Sequence, residues 1–246
     1  MRVVAVADTH QFHDELVLPA GDVLVSAGDA GRGGDLEEIE GFLRWFSSQP
    51  HRHKVFVPGN HDGCLQDPAI LAGVRAAFAD VVILVDEGCV IDGLRLWGSP
   101  WTPTFHDWAF MLPRGALLAE RWAWIPDDTD VLITHGPPQC ILDDVAAYRY
   151  GRDIRDDNSD LDVDDRYAGC ADLRARVRVV RPPLHLFGHI HSQRGVAHDD
   201  GVTFVNCSTN ECERPPTVVD VVRGDDGAVT VHVGVHVGVH VGVDVR

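Results

Sequence analysis

Five short apolar runs, at residues 3–7, 23–27, 55–57, 131–133 and 184–187, each lead straight into a residue type that binds metal. The first leads to Asp8 and His10, and the second to Gly28 and Asp29. The third leads through Pro58 and Gly59 to Asn60, His61 and Asp62. The fourth leads to Thr134, His135 and Gly136, and the last to Gly188, His189, Ile190 and His191. Several runs are β-branched and nearly unalternating, which suits strands covered on both faces. Strands of a mostly parallel sheet present their C-terminal ends to one edge, where ligand crevices form. The pattern predicts a layered α/β domain in which distant stretches converge on one site.

The donor chemistry of that set is specific. Carboxylate, imidazole and amide oxygen suit Mn, Fe, Co or Zn, and the absence of Cys argues against a structural zinc site. The candidate ligands are Asp8, His10, Asp29, Asn60, His135, His189 and His191. They exceed what one ion uses and fit two ions sharing a carboxylate. One Asp at a strand end is usually a turn former or a cap, and one His on an apolar strand is usually half-buried and structural. His185, alternating with Leu184 and Leu186, reads that way. The joint occurrence at five strand ends is what points to metal chemistry.

Helical periodicity falls between some of the runs. Residues 35–48 carry Leu36, Ile39, Leu43 and Phe46 on one stripe, with Asp35 as N-cap and Glu38 three residues on. Residues 68–79 open with Pro68 in the first turn. Residues 170–180 form a third helix, stopped by Pro182 and Pro183. Asp92-Gly93 between apolar residues signals a hairpin. From Gly195 onward strands follow one another, with turns at residues 199–201 and 224–227.

A net charge of -17 over 246 residues argues against a nucleic-acid or anionic-membrane partner. The first apolar run is too short for a signal segment, and no run approaches a membrane span. None of the six cysteines forms a CxxC pair, so they read as reduced thiols and the expected location is cytoplasmic. Cys64, beside the Asn60–Asp62 block, receives no catalytic role. The aromatic stretch 101–110, with His106 and Asp107, reads as substrate mouth or as loop packing, and Trp101 and Trp108 are its better pocket candidates. Arg114 and Arg149 read as phosphate-steering or surface residues.

Two segments are biased. Residues 153–165 hold seven Asp, but Leu161 and Tyr167 stand where a calcium loop needs Gly and Glu, so a solvated acidic loop is expected. Residues 231–246 repeat Val-His-Val-Gly, an alternation that suits an edge strand or a low-complexity tail. The expected division is a domain over 1–230 and this tail. The spacing sets no oligomeric state, and the alternation of the tail suits edge-to-edge pairing with another chain.

The series Asp8-Thr9-His10, Gly28-Asp29, Gly59-Asn60-His61-Asp62, Thr134-His135-Gly136 and Gly188-His189-Ile190-His191 resembles the signature of the calcineurin-like metallophosphoesterases. Stretches such as Gly98-Ser99-Pro100-Trp101 and Thr134-His135-Gly136-Pro137-Pro138 resemble its metallophosphoesterase-domain-containing (239FB-like) subfamily. The resemblance implies a four-layer αββα sandwich of two mixed sheets. It implies one divalent ion on Asp8, His10, Asp29 and His191, and another on Asp29, Asn60, His135 and His189. Mn is the first choice, with Fe or Zn as alternatives. It implies hydrolysis of a small phosphate ester by water held between the ions, with His61 as general acid and Asp62 orienting His61. Some subfamily members carry Gly in place of the first His of the last block, and this chain keeps His189. The implied substrate is a phosphodiester such as a cyclic nucleotide. The alternatives are a phosphomonoesterase, or a non-catalytic scaffold of the same fold. Pro58, where the protein phosphatases of this superfamily carry Arg, counts against a protein phosphatase.

Overall fold

The computed structural model describes residues 1–145 and 166–234. The acidic run 153–165, Arg149 and the repeat beyond residue 234 lie outside the described residues. The first three apolar runs form β1 (Arg2–Val6), β2 (Val23–Ser26) and β3 (His53–Phe56). These lie parallel and are extended by a strand that periodicity did not reveal, β4 (Val81–Ile83). The expected hairpin is β5 (Glu87–Ile91) and β6 (Leu94–Ser99), turning at Asp92 and Gly93, both at positive φ (50° and 81°).

Next come the short strands β7 (Thr102–Pro103) and β8 (Met111–Leu112), then β9 (Val131–Thr134) and β10 (Leu184–Phe187). The expected turns at residues 199–201 and 224–227 join β11 (Gly195–Asp199) to β12 (Val202–Asn206) and β13 (Thr217–Arg223) to β14 (Val229–Val233).

Among the described residues the strands form two six-stranded sheets, ordered β14-β13-β1-β2-β3-β4 and β11-β12-β10-β9-β6-β5. Each has a parallel centre: β1 to β4 in the first, and β12, β10, β9 and β6 in the second. Antiparallel strands are added at one edge of the first sheet, β13 and β14, and at both edges of the second, β11 and β5. The strand β14 spans the expected boundary at residue 230. The start of the repeat is a sheet edge because Val231 and Val233 pack against the core between the sheets.

Helices cover the outer faces. α1 (Leu36–Ser48) is capped by the Asp35 carboxylate, which accepts from Glu38 N, and α2 (Pro68–Ala77) by Asp67. α3 (Ala116–Ala123) has no capping side chain, and Gly115 before it turns at a φ of 95°. α4 (Ala171–Val180) begins one residue after Cys170, which is its cap.

The layers follow from side-chain alternation. Val3, Ala5, Val23, Val25 and Val55 point inward to meet Leu96, Val131, Ile133, Leu184, Leu186 and Val205 of the other sheet. Val4, Leu24 and Phe56 point outward to Ile39, Phe42, Leu43 and Phe46 of α1. Leu132, Phe187 and Phe204 point outward to Leu118 and Trp122 of α3 and Leu173 and Val177 of α4. Each large apolar side chain fully buried in this way contributes roughly 1.5–3 kcal/mol. The result is the expected αββα sandwich of two mixed sheets, with the parallel strands of both ending at one edge.

Candidate metal centre

That edge collects the strand-end residues. Asp8 and His10 follow β1, Asp29 follows β2, and Asn60, His61 and Asp62 follow β3. His135 follows β9, and His189 and His191 follow β10. Three groups bring ligand atoms within 4.8 Å of one another: Asp8, His10 and His191; Asp29, His135 and His189; and His10, Asp29 and His61, which joins the other two. Asp29 Oδ2 lies 3.2 Å from His135 Nε2 and 3.9 Å from His10 Nε2, so one oxygen faces both groups. His191 Nε2 lies 3.7 Å from Asp8 Oδ1. Asn60 Oδ1 lies 2.9 Å from His135 Nε2.

The backbone is bent to make this possible. Asp8, His10, Asp29 and His189 all have left-handed φ values (56°, 42°, 56° and 68°). Such a conformation costs a residue with a Cβ roughly 1–2 kcal/mol, less for Asp. The turns are held by bonds between distant segments. Asp8 N donates to Gly28 O, and His189 N donates to the Asp8 carboxylate at 3.0 Å. His61 N donates to Asp29 Oδ1 at 2.8 Å. Two glycines are required by space. A Cβ on Gly28, at a φ of +100°, would sit 2.6 Å from His135 Nδ1, and one on Gly188 would sit 2.7 Å from Asp8 Oδ2.

The proton positions indicate what the site lacks internally. His10 Nδ1 lies 2.9 Å from Gly31 O, and His135 Nδ1 lies 2.8 Å from Ala27 O. A carbonyl only accepts, so each Nδ1 carries a proton and each neutral ring aims an Nε2 lone pair into the site. His135 Nε2 then faces Asn60 Oδ1, acceptor against acceptor, and His10 Nε2 faces His191 Nε2 at 3.4 Å. Asn60 Nδ2 is buried with no partner among the described residues. Lone pairs gathered around two carboxylates call for a cation, and the residues present fit divalent ions with mixed N and O donors.

Without metal, protons fill part of that need. Burial opposes the charged form of His135, but Asp29 and Asp8 overcome it and push the ring up to about 9. His189 is pushed down to about 4 by burial and by His135. Burial also opposes ionisation of Asp29, yet His135 and His10 hold its carboxyl well below the usual range. Metal loading must therefore displace protons, as is general for imidazole sites. The thiols nearby are inert: burial pushes Cys64 to about 11 and Cys207 to about 12, with Asp62 and Asp8 respectively adding to the shift.

His61 and Asp62 take different places. His61 Nδ1 lies 2.7 Å from Arg32 O, so the ring donates there and presents Nε2 toward His10 and Asp29. The expected Asp62–His61 pairing is not found. Asp62 is fully buried, and its carboxylate accepts from Asp29 N (2.9 Å), Gly31 N (2.9 Å) and Gly59 N (2.7 Å). The physical reason is local: the turn after β3 points Asp62 inward beneath the loops while His61 points outward. Asp62 shapes the loops that carry Asp29 and Asn60, and the Arg32 carbonyl orients His61.

Other residues depart from the sequence reading. Trp101 is not in the site; its Nε1 donates to Asp86 at 2.7 Å, and Arg121 lies over its ring. Arg114 donates to Gly169 O and Ala168 O, holding a loop together. His185 is buried, donating from Nε2 to Thr134 Oγ1 at 2.8 Å. Trp108 does reach the site, its ring centroid 4.3 Å from that of His61. Glu38, legible only as part of a capping box, also accepts from Arg32 N, Gly33 N and Gly34 N, and so fixes the loop that orients His61.

The family description "Calcineurin-like phosphoesterase" matches residues 1–193. Human metallophosphoesterase domain-containing protein 1 is 36% identical over 246 residues, covering 89% of this chain and 71% of the human protein. A UPF0046 protein of Caenorhabditis elegans is 34% identical over 220 residues, covering 85% of this chain and 69% of its own. A solved structure from Thermus thermophilus superposes with a TM-score of 0.55 at 14% identity, covering 88% of this chain and 97% of that one, a likeness of fold alone.

Proposed function

The chain belongs to the calcineurin-like phosphoesterase family, and from that premise we propose that it is a dinuclear metal-dependent phosphodiesterase acting on a small phosphodiester such as a cyclic nucleotide. The observation that carries the reading is Asp29 Oδ2, set between His135 Nε2 and His10 Nε2 at 3.2 and 3.9 Å. One ion would be held by Asp8, His10, Asp29 and His191, and the other by Asp29, Asn60, His135 and His189. Two such ions, Mn by preference and Fe or Zn otherwise, supply a water that is nucleophilic near neutral pH and offset charge on the phosphoryl oxygens.

The chain's own residues do the rest. The loops shaped by Asp62 keep Asp29 and Asn60 in place. His61, fixed by the Arg32 carbonyl, presents Nε2 at the mouth of the site. Hydrolysis forms a bond from phosphorus to the water oxygen and breaks the bond to the leaving oxygen. His61 gives its Nε2 proton to that leaving oxygen and regains one from solvent. Pro58, which stands where the protein phosphatases of this superfamily carry Arg, counts against a protein phosphatase.

The test is hydrolysis of bis-p-nitrophenyl phosphate and p-nitrophenyl phosphate by chelated protein, before and after adding Mn²⁺. Metal-restored turnover favouring the diester is the expected result. Preference for the monoester would make the protein a phosphatase. Metal binding with no turnover of either ester would make it a scaffold.

A further inference from the structure

Between β7 and β8 the chain makes a compact loop whose ends are tied together. Thr102 N donates to Phe110 O at 2.9 Å and Thr104 N to Leu112 O at 3.0 Å, while Phe110 N donates to Gln66 Oε1 at 3.0 Å. Phe110 is buried, and with Trp101 it anchors the loop in the core beneath α1 and α2. The apolar residues at the loop tip do the opposite. Phe105 and Trp108 remain 45% and 43% exposed and belong to no core cluster among the described residues. A loop that exists only to pack would bury those two rings and expose polar ones instead.

The exposed rings are not scattered. Trp108 lies 4.3 Å from His61, and His61 lies 4.9 Å from His10, centroid to centroid. His106 lies 5.9 Å and Phe105 6.3 Å from Trp108, and Phe105 lies 4.2 Å from His106. A continuous aromatic wall thus runs outward from the ring that protonates the leaving oxygen. Trp108 Nε1 has no hydrogen-bond partner among the described residues, so an apolar face and a free donor stand together beside the leaving-group side.

We propose that Trp108, backed by Phe105 and His106, is the specificity-determining wall of the site, stacking a flat nitrogenous ring carried by the substrate's leaving group. This rests on the reading of His61 as the proton donor to that group. Base–aromatic stacking is worth about 1–3 kcal/mol, which converts to roughly a fivefold to 150-fold change in affinity at 1.4 kcal/mol per tenfold. The overall charge of -17 does not oppose the fit, because the ring contributes no charge and the phosphate is met at the metal centre.

Calorimetric titration of the Mn²⁺-loaded full chain with adenosine 5′-monophosphate, ribose 5-phosphate and inorganic phosphate tests this without relying on turnover. The expected result is that the nucleotide binds at least about fivefold more tightly than ribose 5-phosphate. That gap should close in Trp108→Leu, survive in Trp108→Phe, and leave inorganic phosphate binding where it was. Equal affinity for nucleotide and sugar phosphate in the unaltered chain overturns the proposal, as does a gap that persists in Trp108→Leu. Parallel loss of inorganic phosphate binding in Trp108→Leu overturns it too, since Trp108 would then serve only to prop His61. A gap that behaves as expected in a protein that hydrolyses no ester would retain the ring-binding wall and remove the phosphodiesterase reading.

Discussion

Of the two six-stranded sheets among the described residues, the one built on β1 to β4 brings all the oxygen donors to the edge together with two imidazoles, and the other brings imidazoles alone. Asp8, Asp29 and Asn60 follow strands of the first, with His10 and His61 beside them, while His135, His189 and His191 follow strands of the second. Two of the bonds that orient them cross between the sheets: His135 Nδ1 donates to Ala27 O and His189 N donates to Asp8. Neither sheet holds a complete set of donors. The centre is a property of the seam, and the close packing of Val25, Val55, Ile133 and Leu186 beneath it holds the two sheets together.

The largest effect is expected at Asp29, whose carboxylate faces both groups. Asp29→Ala should take bound Mn²⁺, read by elemental analysis, to nearly none and turnover to background. Loss of a single ion would show that Asp29 is not shared. On the nitrogen side, His189→Ala should remove only one of the two ions, because His189 belongs to one group alone.

His61→Ala should keep both ions yet slow diester hydrolysis roughly 10²–10⁴-fold. Metal loss matching that of Asp29→Ala would instead make His61 a ligand through its contact with His10 and Asp29. Asp62→Asn should act through the fold. Turning one acceptor oxygen into a donor facing backbone N–H groups costs about 1–3 kcal/mol, measurable by urea unfolding, while the pH profile of turnover keeps its midpoint. A shifted midpoint would restore Asp62 as the residue that tunes His61.

The smallest effect belongs to His185, on the second sheet but outside the ligand groups. Burial pushes it down to about 3, whereas an unfolded histidine takes up its proton near 6.5. Below 6.5 the unfolded chain binds the extra proton, so stability falls as pH drops from 6.5 toward 3, by up to about 1.4 kcal/mol per pH unit. His185→Gln should flatten that slope between pH 6.5 and 5 in metal-free protein, and an unchanged slope would assign the acid sensitivity elsewhere.

Much of this was written in the chain. Unalternating β-branched runs require strands covered on both faces, and a parallel sheet then leaves no choice about which end gathers Asp8, Asp29, Asn60, His135, His189 and His191. Asp35 and Pro68 marked helix starts for local reasons, a side-chain cap and a pre-set φ. α3 is not legible because it spans only 8 residues and starts at Gly115 with no capping side chain to mark it, and β4 because three residues carry no periodicity.

Sequence by itself therefore determined the layered fold and which residues meet, since strand character and strand direction are local properties. Only the tertiary structure decided how they face one another. Asp62 turned inward to three backbone N–H groups, Trp101 went to Asp86 and Trp108 to His61, although each tryptophan sits in the same aromatic stretch. Those outcomes depend on which distant segment lies within about 3–4 Å of a side chain, and nothing in the spacing of residues along the chain encodes that distance.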